Sequence, residues 1–206
     1  MDRATWLWVQ LADRYKDEPW VAGYNLLNEP ADEFGGREKG KGGGRLVNWY
    51  DETITAVRNV DNKHILFLDG NTYATDFSAF PDDVKERWPN CAYAIHDYSV
   101  YGFPSSPEPY SRTEEQQRRM GRSYKKKREW MDERGLCVWN GEWGPVYARE
   151  EYEGKDRMDE INERRYMVLN DQLQLYKRVS KLSCGIYQTH KYCLYVGWAQ
   201  LEHLAI

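Results

Sequence analysis

The sequence predicts an α/β fold in which a parallel sheet is covered by crossover helices. Three observations carry that expectation. Short apolar runs alternate with longer segments of helical periodicity. The apolar runs close on polar residues where glycine or proline stops the strand. A length of 206 residues suits one domain with a substantial core.

Taken in order, Trp6, Val9, Leu11 and Tyr15 recur at helical spacing, and Asp17-Glu18-Pro19 ends that helix. Val21 to Leu27 reads as a buried strand closed by Pro30. Because proline disfavours helical backbone in the residue before it, Glu29 is expected to be extended. Residues 31–44 hold six glycines mixed with charges, the composition of a surface loop. A second helix follows from Leu46 to Val60, with Leu46, Tyr50, Ile54 and Val57 on one face. Ile65 to Leu68 is the next strand, and Asp69-Gly70-Asn71 is its exit turn.

A short helix is expected near Asp82 to Arg87, then a third strand from Ala92 to Tyr98 and a long loop over 99–111. A helix from Thr113 to Arg134 leads into a fourth strand, Cys137 to Glu142. A further helix spans about 156–180, and a last strand covers Ser183 to Thr189. Side chains alternate across a strand, so Asn25, Leu27 and Glu29 share a face, as do His96 and Tyr98, and Asn140 and Glu142. In a parallel barrel the carboxyl ends of the strands converge on one mouth, and these polar groups fall there.

Composition narrows the function. A net charge of -4 argues against general nucleic-acid binding. The basic run Arg118 to Arg128 is flanked by Glu114, Glu115, Glu129, Asp132 and Glu133, and reads as a solvated helix face. A polyanion-binding module built on that run would show itself by salt-sensitive binding. Cys91, Cys137, Cys184 and Cys193 have neither disulfide-framework nor zinc spacing. No apolar run has the length of a membrane span, and the first residues lack a signal-peptide core, although any such segment would lie upstream. The compartment and the oligomeric state are left open. Nine Trp and sixteen Tyr fit either an aromatic core or a cleft whose rings stack on sugar faces.

Chemistry concentrates in Leu26-Leu27-Asn28-Glu29-Pro30 and Asn140-Gly141-Glu142-Trp143-Gly144-Pro145. Cleaving an acetal between sugars takes two carboxyls, one a protonated acid and the other an anion. Glu29 and Glu142 lie 113 residues apart, so a fold that gathers strand ends must bring them together. His64 reads as an ordinary surface or packing histidine. A metal centre on Glu29, His96 and Glu142 lacks the usual local ligand spacing, and no cofactor is expected.

In the order Asn28-Glu29-Pro30, His96-Asp97-Tyr98, Gly141-Glu142-Trp143-Gly144, the chain resembles glycoside hydrolase family 5, the cellulase family, over roughly residues 4–187. The resemblance implies a (β/α)8 barrel and a retaining enzyme acting on β-linked glucans or β-glucosides. It makes Glu29 the general acid/base and Glu142 the nucleophile. It places Asn28 against the sugar 2-hydroxyl and has His96 and Tyr98 line the site. Trp143 is a candidate for stacking on substrate, with a packing role as the equal alternative.

Counted against that family, the Asn-Glu-Pro strand is the fourth. Residues 1–187 then form the carboxyl-terminal part of the barrel, about strands four to eight, unclosed and without the first three strands. An Arg and a His that border the nucleophile go with those strands. Residues 188–206 are an unmatched tail. Such a partial barrel is expected to hydrolyse little by itself, and its alternative is a non-catalytic remnant that at most binds carbohydrate through its aromatics.

Overall fold

The computed structural model describes residues 2–33, 42–102, 108–145 and 154–179. The expected strand Ser183 to Thr189 and the 188–206 tail lie outside them. The chain divides into two compact units, Met1–Ile95 with Leu136–Trp139, and His96–Gly135 with Asn140–Ile206.

The described strands are β1 (Gly23–Asn25), β2 (Ile65–Asp69), β3 (Cys91–Tyr98) and β4 (Val138–Gly144), and they form one sheet in the order β1-β2-β3-β4. β1 pairs with β2 and β2 with β3 in parallel. β4 joins β3 through Tyr93 N–H to the Cys137 carbonyl and, further along, Ser99 N–H to the Gly144 carbonyl. The first strand is shorter than the apolar run around it. Its pairing still extends beyond Asn25, since Leu26 N–H donates to the Phe67 carbonyl at 3.3 Å. Gly23 is required by close approach, because a Cβ there would meet the Ile65 carbonyl oxygen at 2.1 Å.

In the first unit, α1 (Arg3–Tyr15) is capped by Asp2, whose carboxylate accepts the Thr5 amide at 2.8 Å. α2 (Gly44–Arg58) buries Leu46, Tyr50, Ile54 and Val57, the face read from the sequence. The two helices meet where the Thr5 and Thr53 hydroxyls hydrogen-bond at 2.7 Å, both side chains buried. Tyr50, Phe77, Phe80, Trp88 and Tyr93 make a core of edge-on aromatic pairs. Much of the aromatic excess is therefore core. Trp20, by contrast, is 92% exposed.

The first unit also holds a buried polar cluster. Asp61 accepts from the Tyr24 hydroxyl at 2.7 Å, and its carboxylate lies 2.6 Å from His64 Nδ1. Thus His64 is a packing residue, held by a hydrogen-bonding partner. Burial would raise the Asp61 pKa, but the Tyr24 hydroxyl, the His64 and Lys63 amides and the His64 ring outweigh it and hold the carboxyl at about 2. A carboxyl held below its unfolded value stabilises the fold above that value and loses the contribution as pH falls through the folded one. Between about pH 4 and pH 2 the protein should lose about 2 kcal/mol from this group. Urea titrations across that range check it. Asp61→Asn should be less stable by about 1–3 kcal/mol at neutral pH, with a shallower acid slope.

In the second unit, α3 (Glu114–Arg134) begins at a capping box, with the Thr113 hydroxyl accepting the Gln116 amide and the Gln116 side chain returning to the Thr113 amide. Gly135, at φ 59°, ends it in the left-handed conformation. α4 (Met158–Val179) packs Val168 with Tyr101, Tyr110 and Met120. The basic run on α3 is a solvated face only in part. Arg118 and Arg122 are exposed and pair with Glu115, but Arg128 is buried against Asp132, and Lys127 turns inward to Asp97. Among the described residues, no helix is long and apolar enough to cross a membrane.

Candidate active site

The acid/base candidate sits just past β1. Glu29 is half-buried and Asn28 exposed. Glu29 is not extended: its φ is 47°, in the left-handed region. The expectation from the following proline is overturned by a contact made far along the chain. The Glu29 amide donates to the Asp69 carboxylate at 3.0 Å, and the other Asp69 oxygen accepts the Asn25 side-chain amide at 2.8 Å. Asp69 is fully buried at the end of β2, so one fixed carboxylate sets the turn that carries Glu29.

The loops after β1 and β2 are laced together twice more. The Asp32 amide donates to Asn71 Oδ1 at 2.7 Å, and Asn71 Nδ2 returns to the Asp32 carbonyl at 2.8 Å. The Tyr73 amide donates to the Pro30 carbonyl at 3.2 Å. Tyr73 lies in a run of three left-handed residues, Thr72, Tyr73 and Ala74, with φ 54°, 58° and 59°. Non-glycine residues there cost roughly 1–2 kcal/mol each, which the lacing must offset. The Asp32 carboxylate also accepts the amides of Arg45 and Leu46, serving the N-terminus of α2, where Gly43 offers no capping side chain.

The nucleophile candidate lies on β4 in the second unit. The Tyr98 hydroxyl donates to Glu142 Oε2 at 2.9 Å, and His96 Nδ1 is 3.6 Å from the same oxygen. His96 is buried, while Tyr98 and Glu142 are half-buried. The strand parity that put His96 and Tyr98 on one face thus brings both to Glu142. Such an arrangement presents an oriented carboxylate with one oxygen already engaged by a donor. Trp143 points elsewhere, its ring edge-on to Tyr176 of α4 at 5.3 Å.

Asp69 escaped the sequence reading, which took Asp69-Gly70-Asn71 only as an exit turn. Its one local signal was an acid closing an apolar strand, the same signature that marked the two glutamates.

The family comparison decides where the chain belongs. The model of the cellulase family, glycosyl hydrolase family 5, matches residues 2–178. The chain belongs to that family. A protein named beta-xylosidase from Phanerodontia chrysosporium is 59% identical over 186 residues, which is 90% of this chain and 37% of that protein. The chain therefore spans little more than a third of that curated relative. Among solved structures, Thermotoga maritima Cel5A in complex with mannotriose matches with a TM-score of 0.59 at 19% identity, covering 85% of this chain and 55% of that one. A structure described only as a glycoside hydrolase matches with a TM-score of 0.61 at 18% identity, covering 86% and 55%. At these identities the structural likeness speaks for the fold. This family 5 chain carries part of a (β/α)8 barrel, left open, with four parallel strands among the described residues.

Proposed function

We propose that this family 5 chain carries the catalytic pair of a retaining β-glycosidase, with Glu142 as nucleophile and Glu29 as general acid/base. The observation that supports this most is the Tyr98 hydroxyl bonded to Glu142 at 2.9 Å, with His96 beside the same oxygen. A nucleophilic carboxylate must be aimed, and a hydroxyl donor on one of its oxygens fixes its direction.

In the first step a Glu142 oxygen attacks the anomeric carbon. The glycosidic C–O bond breaks and the leaving oxygen takes the Glu29 proton. In the second, Glu29 removes a proton from water, the water oxygen bonds the anomeric carbon and the Glu142 ester bond breaks. Two inversions give net retention. Asn28, beside Glu29, is suited to bond the sugar 2-hydroxyl as positive charge develops on the ring.

The family description favours β-glucans and β-glucosides. The name of the P. chrysosporium relative favours β-xylosides. The two sugars differ by the exocyclic CH2OH that xylose lacks, so paired aryl glycosides separate them. In a polypeptide carrying all eight strands, kcat/KM should favour one of the pair by about tenfold or more. Proton NMR of the first-formed product should show the β-anomer. An α-anomer would remove the double displacement. Sugar binding without any turnover would leave a non-catalytic carbohydrate-binding module.

A further inference from the structure

Asp97 is buried between His96 and Tyr98 on β3, and by strand alternation it faces away from them. Two-glutamate chemistry gives it no part, and a buried carboxylate is costly unless paired and hydrogen-bonded. It has two close partners from two helices. Lys127 of α3 reaches one oxygen at 2.7 Å, and the Tyr176 hydroxyl of α4 donates to the other at 2.6 Å.

The Tyr176 hydroxyl does more than meet this acid. It accepts from Gln172 Nε2 at 3.1 Å and also hydrogen-bonds the side chain of Asn140. A phenol has one proton to give and two lone pairs, so it can serve Asp97, Gln172 and Asn140 at once. The Gln172 amide also reaches the Asp97 backbone carbonyl at 2.8 Å, while its own Oε1, buried, is left without a partner among the described residues. That orientation is set by what the nitrogen must reach. Burial, with the Asp97 charge alongside, pushes the Tyr176 hydroxyl pKa up, so it stays a proton donor at any working pH.

Asp97 adjoins Tyr98 in the chain, and Asn140 stands two residues before Glu142 on β4. Trp143, next after Glu142, rests edge-on against the Tyr176 ring. One hydroxyl therefore grips both strands that supply the Tyr98–Glu142 bond.

We infer that Tyr176 is a positioning residue for the nucleophile: through Asp97 and Asn140 its hydroxyl sets the separation of β3 and β4 and thereby the Tyr98–Glu142 hydrogen bond. The inference rests on the assignment of Glu142 as nucleophile for its catalytic meaning, but the bond itself can be followed without turnover. Tyr176→Phe keeps the ring against Trp143 and Tyr124 and removes only the hydroxyl.

The test labels tyrosine Cζ with carbon-13 in this chain and follows the Tyr98 resonance. Glu142→Gln fixes the value for a weakened bond. In Tyr176→Phe the resonance should move toward that value, and Tyr176→Phe combined with Glu142→Gln should add nothing further. In the eight-stranded polypeptide, Tyr176→Phe should lower kcat roughly tenfold with KM changed less than about twofold. An unmoved Tyr98 resonance alongside a lowered melting temperature would overturn the inference, since the hydroxyl would then serve stability alone. Should Tyr176→Phe fail to fold, Asp97→Asn is read in the same way, and failure of both would equally overturn it. Loss of turnover in neither Glu142→Gln nor Glu29→Gln would instead sink the catalytic assignment, leaving the Tyr98 result to stand by itself.

Discussion

Glu142→Ala should abolish turnover in the eight-stranded polypeptide, by on the order of 10⁴-fold, which at 1.36 kcal/mol per decade is about 5.4 kcal/mol of barrier. Without the carboxylate no glycosyl-enzyme can form, and the Tyr98 hydroxyl and His96 ring lose the anion they face. A small external anion can take its place. Azide entering from the vacated side should restore part of the rate and yield the α-glycosyl azide by a single inverting displacement. Mass spectrometry with a slow 2-fluoro glycoside gives a second check: the native protein should gain the mass of one glycosyl group and Glu142→Ala none. A covalent adduct in the alanine variant would place the nucleophile elsewhere.

Glu29→Ala should behave differently, and the difference identifies its role. An aryl glycoside whose leaving group is a weak base needs no proton, so glycosylation should survive and the intermediate accumulate. Substrates with a sugar leaving group need the acid, and for these turnover should fall roughly 10²–10⁴-fold. Added azide requires no base to attack, so it should rescue the second step and give the β-glycosyl azide, formed by displacement of Glu142 at the same carbon. An α-azide from Glu29→Ala would exchange the roles of the two glutamates. Equal losses across all leaving groups would deny Glu29 the acid role.

Much of this fold could be read from local pattern, and what could not has a common cause. The α2 face of Leu46, Tyr50, Ile54 and Val57 follows from helical period alone. So does the start of α3, where Thr113 precedes its partner Gln116 by three residues. The side of β3 carrying His96 and Tyr98 follows from strand alternation, and its contact with Glu142 agrees. Glu29 departs from expectation because the group that turns its backbone, Asp69, is forty residues away, and a dipeptide rule for Glu-Pro contains no such partner. Lys127 and Arg128 sit in a run of like charge whose neighbours are solvated. Only the fold brings Lys127 to Asp97, thirty residues earlier. Errors therefore fall where a buried carboxylate from another element competes with a local preference.

Asp32 has a consequence for how such a protein can change over generations. Its amide and carbonyl are tied to Asn71, and its carboxylate holds the first turn of α2 at Arg45 and Leu46. Both roots of the segment between Glu33 and Gly42 are thereby pinned to one residue, on the far side of Pro30 from Glu29. A change at either root need not be felt at the turn that carries Glu29, which Asp69 holds separately. Selection can then act on one side of Pro30 while the other keeps its form.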